Sequence, residues 1–327
     1  MASARGASGR PTVAVLGAAG YAGAVAAALL HRHPEFELAH VTARSDAGTR
    51  LDEVHPRTRV PLVLEEPTTD LEVDAAVVAY PHGAAAPVVA ELLERGIRVV
   101  DLSADFRLHE LATYEAWYGE HPVPGLLGEA VYGLPERHRE QIRAARLVAN
   151  PGCYPTAAIL ALAPLAGRLD DVVIDAKSGV SGAGREPSHG KHFVTVDETV
   201  TPYKVGAHRH SPEIAQELGV PVTFTPHLVP LSHGELVSCY VRTDGDVDAA
   251  ALYRDAYADE PWVEVVDGPP GMTEVRETNF CRISVHEDPL RLIVFATIDN
   301  LYKGTSSQAV QNLNLMFGLD ESLGLPA

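Results

Sequence analysis

Short apolar runs alternate with helical stretches along the first half of the chain. The runs TVAVLGA, FELAHVTA, DAAVVAYP and IRVVDLS are rich in β-branched residues, and helical spacing follows from about 22 to 32 and from about 84 to 95. Strands that alternate with helices in this way are typical of a parallel sheet with helices on both faces. The pattern predicts an α/β fold whose first domain, residues 1–150, is a Rossmann-type doubly wound parallel sheet.

The hydrophobic pattern changes after residue 150. Longer and less regularly interrupted strands are predicted at DVVIDAKS, VTFTPHLVP, ELVSCYVR, FCRISVH and RLIVFATID. They indicate a second, mixed-sheet α+β domain over residues 151–303. The segment SSQAVQNLNLMFGL then has apolar residues at helical spacing and no strand after it. We therefore expect a terminal helix, within about 304–327, that packs back on the first domain.

Composition and charge exclude several classes of protein. The 327 residues are 46% hydrophobic, which is ample for buried cores. The formal charge of -18 repels nucleic acids and anionic membranes, so neither is an expected partner. The opening MASARGASGRP lacks the apolar core of a signal peptide, and no apolar run reaches membrane-spanning length, so we expect a cytoplasmic protein.

Cys153, Cys239 and Cys281 form no CxxC pair, which favours free thiols and no metal site.

A glycine-rich turn follows the first predicted strand. In GAAGYAG, Gly17, Gly20 and Gly23 separate a strand from a helix, where backbone can approach a pyrophosphate beside the helix N-terminus. The spacing is GxxGxxG rather than GxGxxG, and glycine-rich turns are common in βα units, so the turn alone leaves an ordinary βα connection open. Its position on the first strand of an alternating domain favours a nucleotide site.

The end of the second predicted strand bears on the choice of cofactor. Arg44 and Ser45 stand where an acidic residue would bind a ribose 2′-hydroxyl. An arginine at this position favours a 2′-phosphate, and hence NADP over NAD. The alternative is that Arg44 is a solvated loop charge.

A cysteine occupies a rigid turn at the start of a predicted helix. In NPGCYPT, Pro151 and Pro155 restrict the backbone around Cys153, and the apolar run after Thr156 continues the helix. Helix N–H groups and the helix dipole lower a thiol pKa, as a nucleophile requires. Cysteine is also among the residues most often buried, so an inert thiol capping a buried helix remains possible at this point.

Two histidines flank an arginine later in the chain. His208 and His210 lie on either side of Arg209, just before a helix predicted to begin at Ser211. Such a cluster suits a general acid or base beside an anion-binding guanidinium. The alternative is a surface HxH pair that binds a metal ion.

Seven segments in order resemble the N-acetyl-gamma-glutamyl-phosphate reductase family of arginine biosynthesis, within the aspartate-semialdehyde dehydrogenase-like group. The segments are GAAGYAG, DLSADFRL, YGLPE, NPGCYPTAA, KSGVSGAGR, GAHRHSPEI and DNLYKGTSSQAVQNLNLM. The resemblance extends from about Thr12 to Gly318. It implies an NADPH-dependent reductase of a small acyl phosphate, with a catalytic second domain that also forms a homodimer or homotetramer.

The resemblance also assigns roles to individual residues. It implies Cys153 as the nucleophile, which would form a thioester and expel phosphate before hydride transfer, and His208 as the acid/base. The substrate-binding residues that it implies are Arg107, Asn150, Ser181, Arg185, Arg209, His210 and His233. The cofactor-binding residues, including those of the glycine turn, are Gly17, Ala19, Gly20, Tyr21, Ala22, Gly23, Arg44, Ser45, Pro81, His82, Gly182 and Asn300.

One segment departs from the family pattern. Where the family usually has an arginine followed by Gly-Ile-Leu, this chain reads PLSHGEL, with His233 in place of the arginine and Glu235 in place of an aliphatic residue. An imidazole is a poor replacement for a bidentate guanidinium. The alternatives are therefore the same chemistry on aspartyl phosphate or on a carrier-linked aminoadipyl or glutamyl phosphate, although the acidic chain disfavours an acidic carrier. A non-catalytic NADP-binding sensor would lack the nucleophile or the base, and both are present.

Overall fold

The computed structural model describes residues 9–244 and 247–327. It separates into two compact units, one with the described residues up to Pro151 and Thr305–Pro326, the other with Gly152–Gly304 and the last residue. The strands are β1 (Thr12–Leu16), β2 (Glu37–Thr42), β3 (Ala75–Val78), β4 (Arg98–Asp101), β5 (Val131–Tyr132), β6 (Leu147–Ala149), β7 (Leu169–Gly179), β8 (Thr201–Pro202), β9 (Val222–Val229), β10 (Glu235–Thr243), β11 (Val263–Val265), β12 (Cys281–Glu287) and β13 (Leu292–Ile298). The α-helices are α1 (Tyr21–His31), α2 (Leu51–Val54), α3 (Ala85–Glu94), α4 (Leu111–Tyr118), α5 (Pro135–Ala144), α6 (Cys153–Leu162), α7 (Phe193–Val196), α8 (Ser211–Leu218), α9 (Ala249–Ala256) and α10 (Ser307–Met316).

The first unit is built on a parallel sheet in the order β2-β1-β3-β4-β6-β5. Strands β1 and β3 are buried along their whole length, as expected for a sheet covered on both faces. The chain passes from β1 to β2 on one side and then returns to β3 on the other. This reversal opens a crevice at the carboxyl ends of β1 and β3, where doubly wound folds bind ligands.

Helix α10 belongs to the first unit although it comes last in the chain. It contacts α1, α5 and β4, and every residue from Ser307 to Met316 is buried. The Asn312 side chain donates hydrogen bonds to the Gly133 carbonyl at 2.9 Å and to Asn150 Oδ1 at 3.0 Å. A Cβ on Gly133 would lie 2.6 Å from Asn312 Nδ2, so only glycine permits this close approach.

The second unit contains a seven-stranded sheet in the order β11-β12-β13-β10-β7-β9-β8. The β7–β9 and β11–β12 pairs are parallel, and the other pairs are antiparallel. Helix α6 packs on β10 and β13, and all its residues from Tyr154 to Leu162 are buried. The predicted fold class, a parallel-sheet domain followed by a mixed-sheet domain, is confirmed.

The structure adds elements that the sequence pattern did not predict. Strand β6 has three residues, too few to show a period of two, yet it leads directly into the turn before Cys153. Residues Tyr302–Ser306 form a π-helix before α10. Within the described ranges, no helix is long and apolar enough to cross a membrane.

Replacing Asn312 with leucine tests how α10 is attached to its unit. Asn312→Leu would leave the Gly133 carbonyl and Asn150 Oδ1 buried without their donor, and we expect a loss of about 2 kcal/mol in the free energy of unfolding. Urea unfolding followed by circular dichroism measures the change. Gln141→Leu, on the exposed face of α5, is the control and should change stability by less than about 0.5 kcal/mol. Equal effects of the two substitutions would contradict this account.

Candidate active site

Close backbone contacts leave no space for a side chain at two glycines of the turn after β1. Gly17 has a φ of +87°, and a Cβ there would lie 2.6 Å from the Ala79 carbonyl oxygen. A Cβ on Gly23 would lie 2.3 Å from the Gly17 carbonyl oxygen. The N–H groups of Gly17 and Ala18 both donate to the Thr42 carbonyl, at 3.0 and 2.9 Å. The turn therefore lies in contact with the ends of β2 and β3. A side chain at Gly17 or Gly23 would collide with backbone atoms there.

Helix α1 begins directly after this turn. Gly20 is its N-cap, with extended backbone and no side-chain cap, so the first N–H groups of α1 receive no side-chain acceptor there. Ala19 is buried, and its carbonyl accepts from His55 Nε2 at 2.8 Å, while the exposed Tyr21 ring meets the His55 ring edge-on. The Ala22 carbonyl accepts from Ser306 Oγ at 2.8 Å. Such a helix start favours an anionic group.

The neighbouring strand ends carry the other residues that the sequence assigned to the cofactor. Arg44 and Ser45 follow β2 and are exposed, and Ser45 donates a hydrogen bond to Asp46 at 2.8 Å. Pro81 and His82 follow β3 and are also exposed. All of them lie at carboxyl ends of parallel strands, at the crevice expected for this topology.

Cys153 is the first residue of α6, in the second unit. Gly152 is the N-cap, and its backbone N–H donates to Glu213 Oε1 at 2.9 Å. A Cβ on Gly304 would lie 2.9 Å from Cys153 Cβ, so glycine is needed to admit the cysteine. Cys153 is partly exposed, at a helix N-terminus that stabilises a thiolate.

The other two cysteines have a different environment. Cys239 and Cys281 are fully buried in β10 and β12. Burial raises the pKa of the Cys239 thiol well above its usual range. A thiol held neutral and away from solvent is unreactive, so Cys153 is the cysteine suited to nucleophilic chemistry.

His208 lies in an aromatic cluster that the sequence did not predict. Its ring makes edge-on contacts with Tyr154, Tyr203, His210 and Phe224, at centroid distances of 5.7, 5.5, 4.7 and 5.3 Å. The backbone N–H of His210 donates to His208 Nδ1 at 3.2 Å, which places the ring proton on Nε2.

The protonation state of His208 follows from its surroundings. Burial, reinforced by the positive charges of Lys204 and Arg209, lowers the pKa of His208 to about 4. The imidazole is therefore neutral at neutral pH, with Nε2–H as a hydrogen-bond donor.

Asn300 organises the loop that contains Ser181 and Gly182. It is buried, its Nδ2 donates to Ser181 Oγ at 3.0 Å, and its Oδ1 accepts from the Gly234 N–H at 2.9 Å. Arg185, at the end of this loop, is exposed. Gly182 and Asn300 belong to the second unit, and their assignment to the cofactor stays a prediction.

Arg107 and Asn150 belong to the first unit and hold backbone there. Arg107 Nε donates to the Asn150 carbonyl at 2.7 Å, and its Nη2 donates to the Leu102 carbonyl at 2.8 Å. Asn150 Nδ2 donates to the Thr305 carbonyl at 3.0 Å. These hydrogen bonds fix the backbone just before the Pro151-Gly152 turn. A direct role of Arg107 and Asn150 in substrate binding stays a prediction.

His233 lies beside a buried carboxylate and a guanidinium. Its Nδ1 is 3.3 Å from Asp299 Oδ2, and Asp299 also accepts from the backbone N–H groups of Glu277 and Leu301, at 2.8 Å each. Arg276 Nη2 donates to the His233 carbonyl at 3.1 Å. The structure thus brings a guanidinium close to the position where the family pattern has its arginine, from a residue that no sequence motif indicated.

Family models match both units. Residues 12–145 match the model described as the NAD binding domain of semialdehyde dehydrogenase, and residues 153–300 match the model of its dimerisation domain. The chain is 50% identical to an N-acetyl-gamma-glutamyl-phosphate reductase of Dehalococcoides mccartyi, over 96% of each chain. It is 45% identical to a reductase of the same name from Rhodopirellula baltica, over 96% of this chain and 97% of the relative.

Solved structures with low sequence identity share the fold. Aspartate semialdehyde dehydrogenase II of Vibrio cholerae, complexed with ASA, matches with a TM-score of 0.73 at 17% identity, over 94% of this chain and 98% of the other. The aspartate semialdehyde dehydrogenase of Candida albicans, with NADP, matches with a TM-score of 0.72 at 15% identity, over the same shares of the two chains.

Gly17→Ala tests whether the glycine turn is a dinucleotide site. The new Cβ would collide with the Ala79 carbonyl and distort the turn, so we expect dinucleotide affinity to fall by at least about tenfold, or 1.4 kcal/mol. Fluorescence titration with NADPH measures the affinity. Gly48→Ala is the control, because Gly48 has the same φ of +87° but nothing within 4 Å of its Cβ position. If both variants bound the cofactor as the wild type does, the turn would not be the site.

Proposed function

Since the chain belongs to the N-acetyl-gamma-glutamyl-phosphate reductases of the semialdehyde dehydrogenase family, we propose that it reduces N-acetyl-γ-glutamyl phosphate to the semialdehyde with release of phosphate, in arginine biosynthesis. The observation that carries this proposal is the partly exposed Cys153 at the N-terminus of α6, in the same unit as the neutral imidazole of His208. An acyl phosphate reductase needs a thiol nucleophile and a donor for the carbonyl oxygen.

The first unit supplies the elements of a dinucleotide site. The turn at Gly17 and Gly23 has no space for a side chain, and the start of α1 presents N–H groups to a pyrophosphate. Exposed Arg44 would bind a 2′-phosphate. These features fit NADPH, which when bound supplies the hydride for the reduction.

Cys153 performs the covalent step. Its sulfur bonds to the γ-carbonyl carbon, the bond from that carbon to the phosphate oxygen breaks, and phosphate leaves with the electron pair and takes a proton from solvent. The product is a thioester on Cys153. After reduction of the thioester carbonyl, the carbon–sulfur bond breaks, and the aldehyde leaves as the sulfur recovers its electron pair.

His208 acts on the oxygen of the reacting carbonyl. Its Nε2–H donates a hydrogen bond to the negative charge that develops there, together with backbone N–H groups at the start of α6. A neutral ring is suited to this role, because a buried imidazolium would cost free energy before the substrate arrives. We therefore assign His208 as a hydrogen-bond donor to the oxyanion rather than as the general acid/base.

Substrate anions require cations and polar groups of the second unit. Arg185 and Arg209 are candidate binders of the phosphate and the carboxylate, with Ser181 and His210 as hydrogen-bonding partners. Near His233, Arg276 offers a guanidinium where the family pattern has an arginine. This placement supports the ordinary N-acetylglutamyl substrate despite the departure at His233.

The match of residues 153–300 to a dimerisation domain supports a homo-oligomer, and we propose a dimer formed through the second unit. A tetramer, the cytoplasmic location and an acidic carrier partner stay predictions.

The reverse reaction tests the function directly. Wild-type protein with N-acetylglutamate semialdehyde, phosphate and NADP should form NADPH, followed at 340 nm, and Cys153→Ser should lose this activity by at least about 10³-fold while still binding NADPH. Cys239→Ala is the control, because Cys239 is buried in β10. Faster turnover of aspartate semialdehyde would reassign the substrate. NADPH binding without turnover of either aldehyde would support a sensor.

Cofactor preference tests the tip of β2. If Arg44 contacts the 2′-phosphate, NADPH should bind more tightly than NADH by at least about tenfold, or 1.4 kcal/mol. Arg44→Ala should weaken NADPH alone and leave NADH unchanged, as measured by fluorescence titration. Arg143→Ala, at an exposed arginine on α5, is the control for loss of a positive charge. Equal binding of the two cofactors by the wild type would refute the assignment.

A further inference from the structure

Asp105 is a fully buried carboxylate in the segment that follows β4, in the first unit. Its Oδ1 accepts hydrogen bonds from the Gly83 N–H at 2.7 Å and from the Tyr114 hydroxyl at 2.9 Å. Its Oδ2 accepts from the Ala86 N–H at 3.0 Å. Burying a charge is costly unless hydrogen bonds satisfy it. Both oxygens have donors here, so the carboxylate is held in one place.

The two backbone donors belong to the turn between β3 and α3. This turn contains Pro81 and His82, and the Ala84 N–H closes it by donating to the Pro81 carbonyl at 3.1 Å. Ala84 is the N-cap of α3 and offers no side-chain acceptor to the first N–H groups of the helix. Asp105 supplies that acceptor from beyond β4, and its negative charge suits a helix N-terminus. The shape of the turn therefore depends on a residue outside it.

This turn borders the crevice at the carboxyl ends of β1 and β3. The residues that lead into it are in contact with the glycine turn, because a Cβ on Gly17 would lie 2.6 Å from the Ala79 carbonyl oxygen and 3.1 Å from Tyr80 Cδ1. Pro81 and His82 follow directly and are exposed. In this topology a ligand binds at that edge of the sheet. The turn between β3 and α3 is thus one wall of the proposed dinucleotide site.

Aromatic rings also connect Asp105 with His82. The Tyr114 ring stacks on the Tyr118 ring at a centroid distance of 5.0 Å, and the Tyr118 ring meets the His82 ring edge-on at 5.4 Å. Burial, reinforced by the charge of Asp105, raises the pKa of Tyr114, so its hydroxyl stays protonated as a donor. Backbone and ring contacts therefore both hold His82 relative to one carboxylate.

We propose that Asp105 is a positioning residue for the cofactor, whose carboxylate holds the turn between β3 and α3 so that His82 contacts the dinucleotide. The inference rests on the proposed function for the identity of the cofactor but not for the acyl substrate. Because Asp105 is fully buried, it acts through His82 rather than by its own contact. Asp105 also occupies the start of α3, while the start of α1 has no side-chain acceptor, so the pyrophosphate belongs at α1.

Asp105→Asn tests this role, because the amide keeps the size of the side chain but replaces one acceptor oxygen with a donor. The turn then loses hydrogen bonds, and we expect the Kd for NADPH in a fluorescence titration to rise by at least about tenfold. Loss of a negative charge alone would strengthen the binding of an anionic cofactor. The direction of the change therefore distinguishes a displaced turn from an altered charge.

Tyr114→Phe is a milder variant of the same network, for use if the asparagine variant does not fold. It removes only the hydroxyl that donates to Asp105. Because one hydrogen bond is lost and both backbone donors remain, the Kd for NADPH should rise by about threefold.

Asp74→Asn is the matched control. Asp74 Oδ2 accepts from the Thr12 N–H at 2.8 Å and from the Thr12 hydroxyl at 3.1 Å, at the amino ends of β1 and β3 and so at the edge of the sheet opposite the crevice. This variant should lower the urea midpoint of unfolding as Asp105→Asn does, yet leave the Kd for NADPH within about twofold of the wild type. A purely structural role of Asp105 would give the same pattern in both variants.

A double-mutant cycle shows whether Asp105 acts through His82. His82→Ala alone should weaken NADPH binding, since it removes the side chain that the carboxylate positions. The double variant should bind NADPH within about threefold of His82→Ala, because a side chain that is absent cannot be displaced further. Effects that multiply in full would show that the two residues act independently and would overturn the inference.

The outcomes separate this role from the proposed function. An unchanged Kd for NADPH in Asp105→Asn and Tyr114→Phe, or equal increases in Asp105→Asn and Asp74→Asn, would refute the role of Asp105. Wild-type turnover of N-acetylglutamate semialdehyde would leave the proposed function intact in either case. Weaker NADPH binding confined to the Asp105 and Tyr114 variants would support the role even if that aldehyde were not a substrate. A wild type that did not bind NADPH would overturn both.

Discussion

The backbone N–H of Gly152 donates to the Glu213 carboxylate at 2.9 Å, and the geometry of the candidate active site depends on this bond. It holds the residue before Cys153, whose backbone is extended, so that α6 begins at the cysteine and the thiol lies at the helix N-terminus. Gly304 is part of the same constraint, because any side chain there would displace the Cys153 Cβ. Residues of α8 and of the segment after β13 thus fix the backbone at the start of α6, where Cys153 lies.

Burial shifts the pKa values of two acid–base groups of the second unit in opposite directions. It lowers the pKa of His208 and keeps the imidazole neutral, and it raises the pKa of Glu235 into the range of a thiol. Burial therefore keeps the imidazole neutral, as a hydrogen-bond donor, and keeps the Glu235 carboxyl largely protonated at neutral pH. In a solvated pocket the carboxyl would be ionised at neutral pH, and the imidazole, with an ordinary pKa of about 6.5, would be partly protonated.

The departure at positions 233 and 235 has a structural explanation at each residue. His233 interacts with the buried Asp299, while Arg276 from a distant segment brings a guanidinium to its backbone. Glu235 places a fully buried carboxyl at the start of β10, and burial raises its pKa to about 8. A role of Arg276 in substrate recognition is part of the proposed function.

The sequence by itself determined the features that depend on neighbouring residues. Strand and helix periodicity predicted the two sheets, since side-chain direction repeats every two residues in a strand and every 3.6 in a helix. The turns at Gly17 and Cys153 were also local, because glycine and proline restrict their own backbone. Strand β6 was not predicted, because three residues are too few to show a period of two. Only the tertiary structure decided the long-range partners within the second unit: Glu213 meets Gly152 across 61 residues, and Arg276 meets His233 across 43. Such contacts follow from packing, and it is packing that removes water and sets the protonation of His208 and Glu235.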